Sequence, residues 1–374
     1  MGSYQRGKLL QVNANGLYCE QADVYIDPWR PVERAIITHA HADHARWGMK
    51  YYLCHHHAKP ILKLRLGQDE NVQGLAYGEE VTMNGVRISL FPAGHIIGSA
   101  QVRLEYKGEI WVFTGDYKLI NDGISQPYEQ LQCHHFITES TFGLPIYKFP
   151  SPFEIYAAMN DYWKQNRADG YNTVLLGYSL GKAQNILGHI DPSIGNIYLH
   201  GAVANTNEAL ASVGYHFPGE RVTPETDRSK IVGDLIVAPP SVADGPWLRK
   251  MKPYRIAMCS GWMQLRGARR RRGVDMGFAL SDHCDWAQLN QAVLATGAEH
   301  IYITHGYEQN YARWITEQYG LDAHIFKTLY ADSEEDIAEP KEDVLEPKED
   351  IAEPKEDGRD STNKGLETEK QTAE

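Results

Sequence analysis

The segment His39-Ala40-His41-Ala42-Asp43-His44 packs four potential metal ligands into six residues, directly behind the β-branched run Ile36-Ile37-Thr38. His39 and His41 are two apart, so on extended backbone both imidazoles point to one side. Asp43 and His44 follow where the chain must turn, and they can aim at a second point close by. Neutral imidazole and carboxylate suit zinc, manganese or iron, and three histidines with one aspartate favour zinc. One mononuclear site rarely needs all four, so the spacing itself suggests two metals. The bland alternative is a histidine-rich surface loop. The tight spacing behind an apolar strand argues against it.

Three later segments repeat the arrangement of an apolar run followed by a ligand-type residue beside glycine. Ala93-Gly94-His95 follows 86–91, Thr114-Gly115-Asp116 follows 110–113, and Thr304-His305-Gly306 follows 300–303. Ligands at the ends of several strands converge on one edge of a sheet sandwich. A consistent assignment gives His39, His41 and His95 to one metal and Asp43, His44 and His305 to the other, with Asp116 bridging both. An open position on each metal is the coordination gap of a catalytic rather than a structural zinc site. Two such ions lower the pKa of a shared water and clamp a phosphate oxygen. The expected cofactors are two zinc ions, with manganese as the substitute. His55-His56-His57 reads as a loop run, and His134, His189, His200 and His216 as core or surface residues.

At 374 residues and 42% apolar content the chain can bury a large core. No apolar run approaches the roughly 20 residues that span a bilayer. Residues 1–6 have no apolar stretch behind them, so no secretory signal is read and a cytoplasmic location is expected. The five cysteines are scattered and odd in number, as reduced thiols are. The net charge of −12 is misleading, because residues 331–374 alone carry −11 and residues 1–330 only −1. Within 249–272 lie nine basic residues and no acidic ones, including Arg269 and Arg270. That clustering is the footprint expected of a phosphate-backbone binder.

The chain changes texture along its length. Residues 1–143 read as short strands between turns, for example 24–26, 35–38, 86–91, 100–106, 110–114 and 135–138, with a hairpin turn at Gly108-Glu109. Residues 144–277 alternate helix and strand, with helices at 152–165 and 180–189 and a strand at 172–177. Residues 278–330 return to the first style, with helices at 286–296 and 308–319 and strands at 300–304 and 323–328. The middle segment is therefore an insertion within one larger domain. Residues 331–374 contain the tandem heptapeptides IAEPKED, VLEPKED and IAEPKED at 337–357. Proline in each repeat forbids a continuous helix, and the charge predicts a disordered acidic tail.

The His39–His44 motif resembles the first metal motif of the metallo-β-lactamase fold superfamily, which holds lactamases, thioester hydrolases and nucleases. Thr138-Glu139-Ser140-Thr141-Phe142-Gly143, Ser281-Asp282-His283 and Thr304-His305-Gly306 resemble the three extra motifs of its β-CASP nucleases. Gly177-Tyr178-Ser179-Leu180-Gly181-Lys182-Ala183-Gln184 resembles the signature of their inserted domain. The resemblance covers 1–330 and implies an α/β fold: a metallo-β-lactamase αββα sandwich with an inserted α/β β-CASP domain. It also implies that His283 is the general acid and that Glu139 holds its other ring nitrogen. Physical logic agrees, since expulsion of an alkoxide needs a proton that an oriented imidazole supplies near neutral pH. Asp282 is either a participant or a loop-positioning residue. Ser179, Gly181 and Lys182 sit at an expected helix N-terminus, where free N–H groups and an ammonium favour a phosphate.

Ser260-Gly261-Trp262-Met263, the arginine run 269–272 and Phe278-Ala279-Leu280-Ser281-Asp282-His283 resemble the bacterial ligase-associated DNA exonucleases. This implies DNA as substrate, digestion from the 5′ end, a role in repair, and functional association with an ATP-dependent DNA ligase and a helicase. A β-CASP ribonuclease in RNA processing or decay is the alternative. A catalytically dead binding module and a small-molecule hydrolase fit less well. All seven ligand positions are filled, and a cleft beside a basic insertion suits a polymer.

Overall fold

Alternation along the strands sets the layering. In the strand Glu109–Phe113, Trp111 and Phe113 face one way and Val112 the other. In His300–Gly306, Tyr302 joins the first set, and Ile301 and Ile303 the second. A period of two with apolar residues at both phases gives a sheet that must be covered on both faces. The computed structural model, which describes residues 9–243, 245–265 and 273–330, shows how this is done.

Seven strands form that sheet, in the order Asp322–Ile325, His300–Gly306, His135–Ser140, Glu109–Phe113, Ala100–Tyr106, Val86–Pro92 and Glu80–Met83. A second sheet orders Gln11–Val12, Leu17–Cys19, Val24–Ile26, Arg34–Ile36, Tyr51–His55 and Val72–Leu75. The two pack together through Leu17, Ile26 and Leu53 against Leu90, Leu104, Trp111 and Phe113. Outside the seven-stranded sheet, Val112 and Phe136 pack on Leu289 and Val293 of the helix Trp286–Ala295 and on Tyr311 and Ile315 of Glu308–Tyr319. Outside the other, Ala35, Ile37 and Tyr52 pack on Ile61 and Leu62 of Lys59–Leu66. The layers are helix, sheet, sheet, helix, the expected αββα sandwich.

A third sheet lies in the segment read as inserted. Its strands Glu220–Arg221, Ile197–Leu199, Leu235–Ala238, Asn172–Leu176, Tyr254–Cys259 and Met276–Phe278 are all parallel. Parallel strands covered on both faces read as unbroken apolar runs, and Leu235-Ile236-Val237-Ala238 is buried throughout. The helices Pro152–Ala168 and Lys182–His189 cover one face through Met159, Trp163, Ala183 and Ile186. Leu248 and Met251 cover the other. The last strand ends at Phe278, one residue beyond the expected 144–277.

Several local expectations are corrected. The hairpin turns at Lys107-Gly108, not Gly108-Glu109. Tyr106 pairs with Glu109, and both turn residues have positive φ, 52° and 83°. Such a two-residue turn matches the twist of its strands, and it leaves Glu109 inside the strand, buried against His135. The run His55-His56-His57 is not all loop. His55 closes the strand Tyr51–His55 and stacks on Tyr77 with centroids 3.6 Å apart. All five cysteines are buried free thiols. Among the described residues, no helix is long and apolar enough to cross a membrane. The tandem repeats of 337–357 lie outside the described residues.

Candidate metal centre

The ligand-type residues meet at one edge of the sandwich, where several strands end. Gly115 lets Asp116 approach, for at φ 57° a Cβ there would stand 2.7 Å from Thr38 Oγ1. Asp116 Oδ2 lies 3.3 Å from His39 Nε2 and 3.8 Å from His95 Nε2, and His95 Nε2 lies 3.1 Å from His41 Nδ1. Asp116 Oδ1 faces the other way, 3.5 Å from His44 Nε2 and 3.2 Å from His305 Nε2. Ligands bound at 2.0–2.1 Å around a tetrahedral zinc are about 3.3 Å apart, so these separations have the right scale. Two sets share the one carboxylate: His39, His41, His95 and Asp116, and His44, Asp116 and His305. Asp43 stands beside the second set, with Oδ2 3.3 Å from His44 Nε2.

Each imidazole is held from behind. The hydroxyl of Thr38 donates to Asp27 Oδ2 at 2.5 Å, so its oxygen accepts from His39 Nδ1 at 3.1 Å. Thr304 likewise donates to the Thr138 carbonyl and accepts from His305 Nδ1 at 3.0 Å. His44 Nδ1 donates to Asp27 Oδ2 at 2.8 Å, and His95 Nδ1 to the Asp282 carbonyl at 2.9 Å. His41 is turned round: its Nε2 donates to the Leu180 carbonyl at 3.2 Å, leaving Nδ1 toward the others. Each ring thereby presents a lone pair to the centre, which is what outer partners of metal ligands do.

The buried atoms left over test the fit. His39 Nε2, Asp43 Oδ1, His44 Nε2 and Asp116 Oδ1 are buried without a hydrogen-bond partner among the described residues. Each such orphan costs about 1–3 kcal/mol, and cations held there satisfy all four. Burial, then the neighbouring His44, pushes His39 down to about 3, and burial also lowers His41 and His95. These three rings are neutral at pH 7, the form that ligates. At His44 burial acts the same way, but Asp43, Asp116 and Asp27 outweigh it and raise the imidazole well above its usual range. So concentrated a negative charge favours a divalent cation. Asp27 itself is fully buried. Replacing it by asparagine is expected to weaken metal binding on the His44–His305 side by about 10–100-fold, measured by chelator competition.

Glu139 and His283 form a pair beside the first set. His283 Nδ1 donates to Glu139 Oε1 at 2.8 Å, and the His283 ring is 4.7 Å from that of His95. The strand pairing slips between Thr138 and Ser140, a bulge that sets Glu139. Gly306 permits it, since a Cβ at its φ of 91° would strike the Ser140 carbonyl at 2.3 Å. Asp116, Glu139 and His283 are close enough to hold a metal. However, the Glu139 oxygens are already engaged: Oε1 also accepts from the Tyr117 amide and Oε2 from the Thr141 amide. A hydrogen-bonded dyad accounts for the pair without an ion.

The residues expected at a phosphate differ in their surroundings where the structure describes them. Gly181 is adjacent to the centre, where a Cβ would stand 3.6 Å from His41 Nε2, and its amide donates to Gln184 Oε1 at 2.7 Å. Ser179 is partly buried, its carbonyl accepting from Gln184 Nε2. Lys182 is a correction, because its ammonium is fully buried on Asp282 and not offered to a ligand at the helix end. Arg269 and Arg270 lie outside the described residues. Arg255, from the same basic run, is held by Asp169 at 2.6 Å.

Two contributors have little sequence signal. Asp27 is a lone acid behind a three-residue strand. Tyr330 stacks on His44, with centroids 4.5 Å apart and planes 16° apart. Arg46 secures the residue before Tyr330, donating to the carbonyls of Asp43 and Leu329.

Residues 27–148 match the metallo-beta-lactamase superfamily, a stretch that holds His39 through Glu139 but not His283 or His305. A probable DNA ligase from Opitutus terrae is 31% identical over 314 residues, 83% of this chain and 30% of that protein. An RNase J-like protein from Methanocaldococcus jannaschii is 27% identical over 185 residues, 42% of this chain and 43% of that protein. The matches thus span less than half of either relative. A solved structure of a protein of unknown function from Enterococcus faecalis has a TM-score of 0.55 at 12% identity, covering 79% of this chain and 80% of that one. That is a likeness of fold.

Proposed function

The chain carries a metallo-β-lactamase domain, and on that premise we propose that it hydrolyses phosphodiester bonds in DNA from an end, 5′→3′, in repair. The observation that carries the hydrolytic part of this reading is Asp116, whose two oxygens face two separate imidazole sets. His39, His41, His95 and Asp116 would hold one ion, and Asp43, His44, His305 and Asp116 the other. Zinc suits the donors and manganese is the substitute. Bound there, the ions supply Lewis-acid polarisation of the phosphodiester and activation of water.

The chain's own groups do the rest. Thr38, Asp27, Thr304 and the carbonyls of Leu180 and Asp282 fix the five imidazoles, so little reorganisation is needed when charge develops. His283, its Nδ1 on Glu139, would serve as general acid toward the leaving oxygen. Arg269 and Arg270 would meet the phosphate backbone. The match to a protein named a probable DNA ligase supports DNA as substrate and association with a DNA ligase. An ATP-dependent ligase and a helicase as partners rest on the resemblance of 260–263, 269–272 and 278–283. The RNase J-like relative favours a second reading, a ribonuclease in RNA processing.

Matched single-stranded DNA and RNA decide between them. Each carries a label at one end and a 5′-phosphate or 5′-hydroxyl at the other. Metal-dependent shortening of DNA with 5′ polarity is the expected result. Preferential cutting of RNA establishes the second reading.

A further inference from the structure

We propose that Lys182 is a positioning residue. From the inserted segment it fixes the loop whose backbone orients the ligand His95 and whose next residue is His283. The inference rests on the metal-centre part of the function proposed above and is independent of the choice between DNA and RNA.

Lys182 opens the helix Lys182–His189 and is wholly buried. Its ammonium lies 2.8 Å from Asp282 Oδ2 and donates to the Leu280 carbonyl, also at 2.8 Å. Asp282 is itself 4% exposed. One residue therefore carries both ends of the device. Its carboxylate takes the ammonium, and its carbonyl accepts from His95 Nδ1 at 2.9 Å. The Lys182 stem passes over Gly177, where a Cβ would stand 2.6 Å from Lys182 Cγ. That contact gives Gly177 a packing reason.

Lys118, two residues beyond Asp116, adds a third buried charge. Among the described residues its ammonium has no hydrogen-bond partner, and it stands in the field of Asp122 and Asp282. Asp122 in turn accepts from Asn185 of the same helix at 2.8 Å. A buried ion pair tolerates few geometries, because a displaced partner leaves an uncompensated charge. The 280–283 loop is thus locked to the insertion, and His95 with it.

Zinc release from Lys182→Met in graded chelator tests this. One of two equivalents is expected to leave at about 10–100-fold lower chelator, the other as in wild type. kcat should fall with KM nearly unchanged. Asp282→Asn, which keeps an acceptor for the ammonium, should fall between, and it carries the test if Lys182→Met does not fold. A raised KM with kcat and both equivalents intact overturns the proposal, because it makes Lys182 a substrate contact. Equal loosening of both equivalents, in step with a lowered melting temperature, also overturns it. Wild-type protein that binds two equivalents but cuts no nucleic acid defeats the nuclease reading, and the zinc-release result still decides this one.

Discussion

Asp116→Ala is expected to lower nucleic-acid cleavage by about 10³-fold or more and to leave one metal equivalent or none. The size follows from what is removed. Lewis-acid stabilisation by metal ions is worth several kcal/mol, and each 1.4 kcal/mol is tenfold in rate. Asp116 is the carboxylate shared by both imidazole sets among the described residues, with Oδ2 at 3.3 Å from His39 and Oδ1 at 3.2 Å from His305. Its carboxyl stays well below the usual range because His44 and His39 outweigh the opposing effect of burial. It is therefore an anion ready to bridge at neutral pH. Asp116→Asn keeps the shape but only one oxygen, so it should retain more metal than the alanine variant. Metal analysis of both proteins, beside an end-labelled DNA assay, checks the expectation. A thermal melt in excess chelator separates loss of metal from loss of fold. Two equivalents and wild-type cleavage in Asp116→Ala would sink the shared-carboxylate reading.

The His and Asp residues that meet at the centre were legible in the sequence because each is an unusual residue type placed where an apolar run stops. Their supports were not. His41 and His95 rest on the carbonyls of Leu180 and Asp282, and a carbonyl carries no residue signature. Thr304 could be seen beside His305, but its lone pair is directed by a bond to the Thr138 carbonyl on another strand. Lys182 shows the limit most clearly. At a helix start its ammonium is expected to meet a phosphate, yet the fold brings Asp282 to it from the far side of the insertion. Among the elements, the strand Ala100–Tyr106 and the helix Glu308–Tyr319 were readable from period and caps. Tyr51–His55 was not, because four of its five residues are buried and alternation disappears.

His283→Ala is expected to lower kcat on DNA by about 10²–10⁴-fold, the usual share of a general acid, with both metal equivalents retained. The leaving group of a nucleic-acid phosphodiester is an alkoxide, which departs poorly without a proton. A nitrophenyl phosphodiester releases a stable phenolate instead, so on that substrate the loss should be less than about tenfold. The contrast isolates the proton from any effect on binding. Glu139→Gln preserves an acceptor for His283 Nδ1 at the 2.8 Å position but removes the negative charge that favours the imidazolium. It should therefore show the same leaving-group dependence with a smaller loss. A loss equal on both substrates would mean that the pair serves binding or architecture. Departure of one metal equivalent from His283→Ala would mean that Asp116, Glu139 and His283 are themselves a ligand set. Two equivalents retained, with the penalty confined to the alkoxide substrate, is the result that assigns the proton to His283.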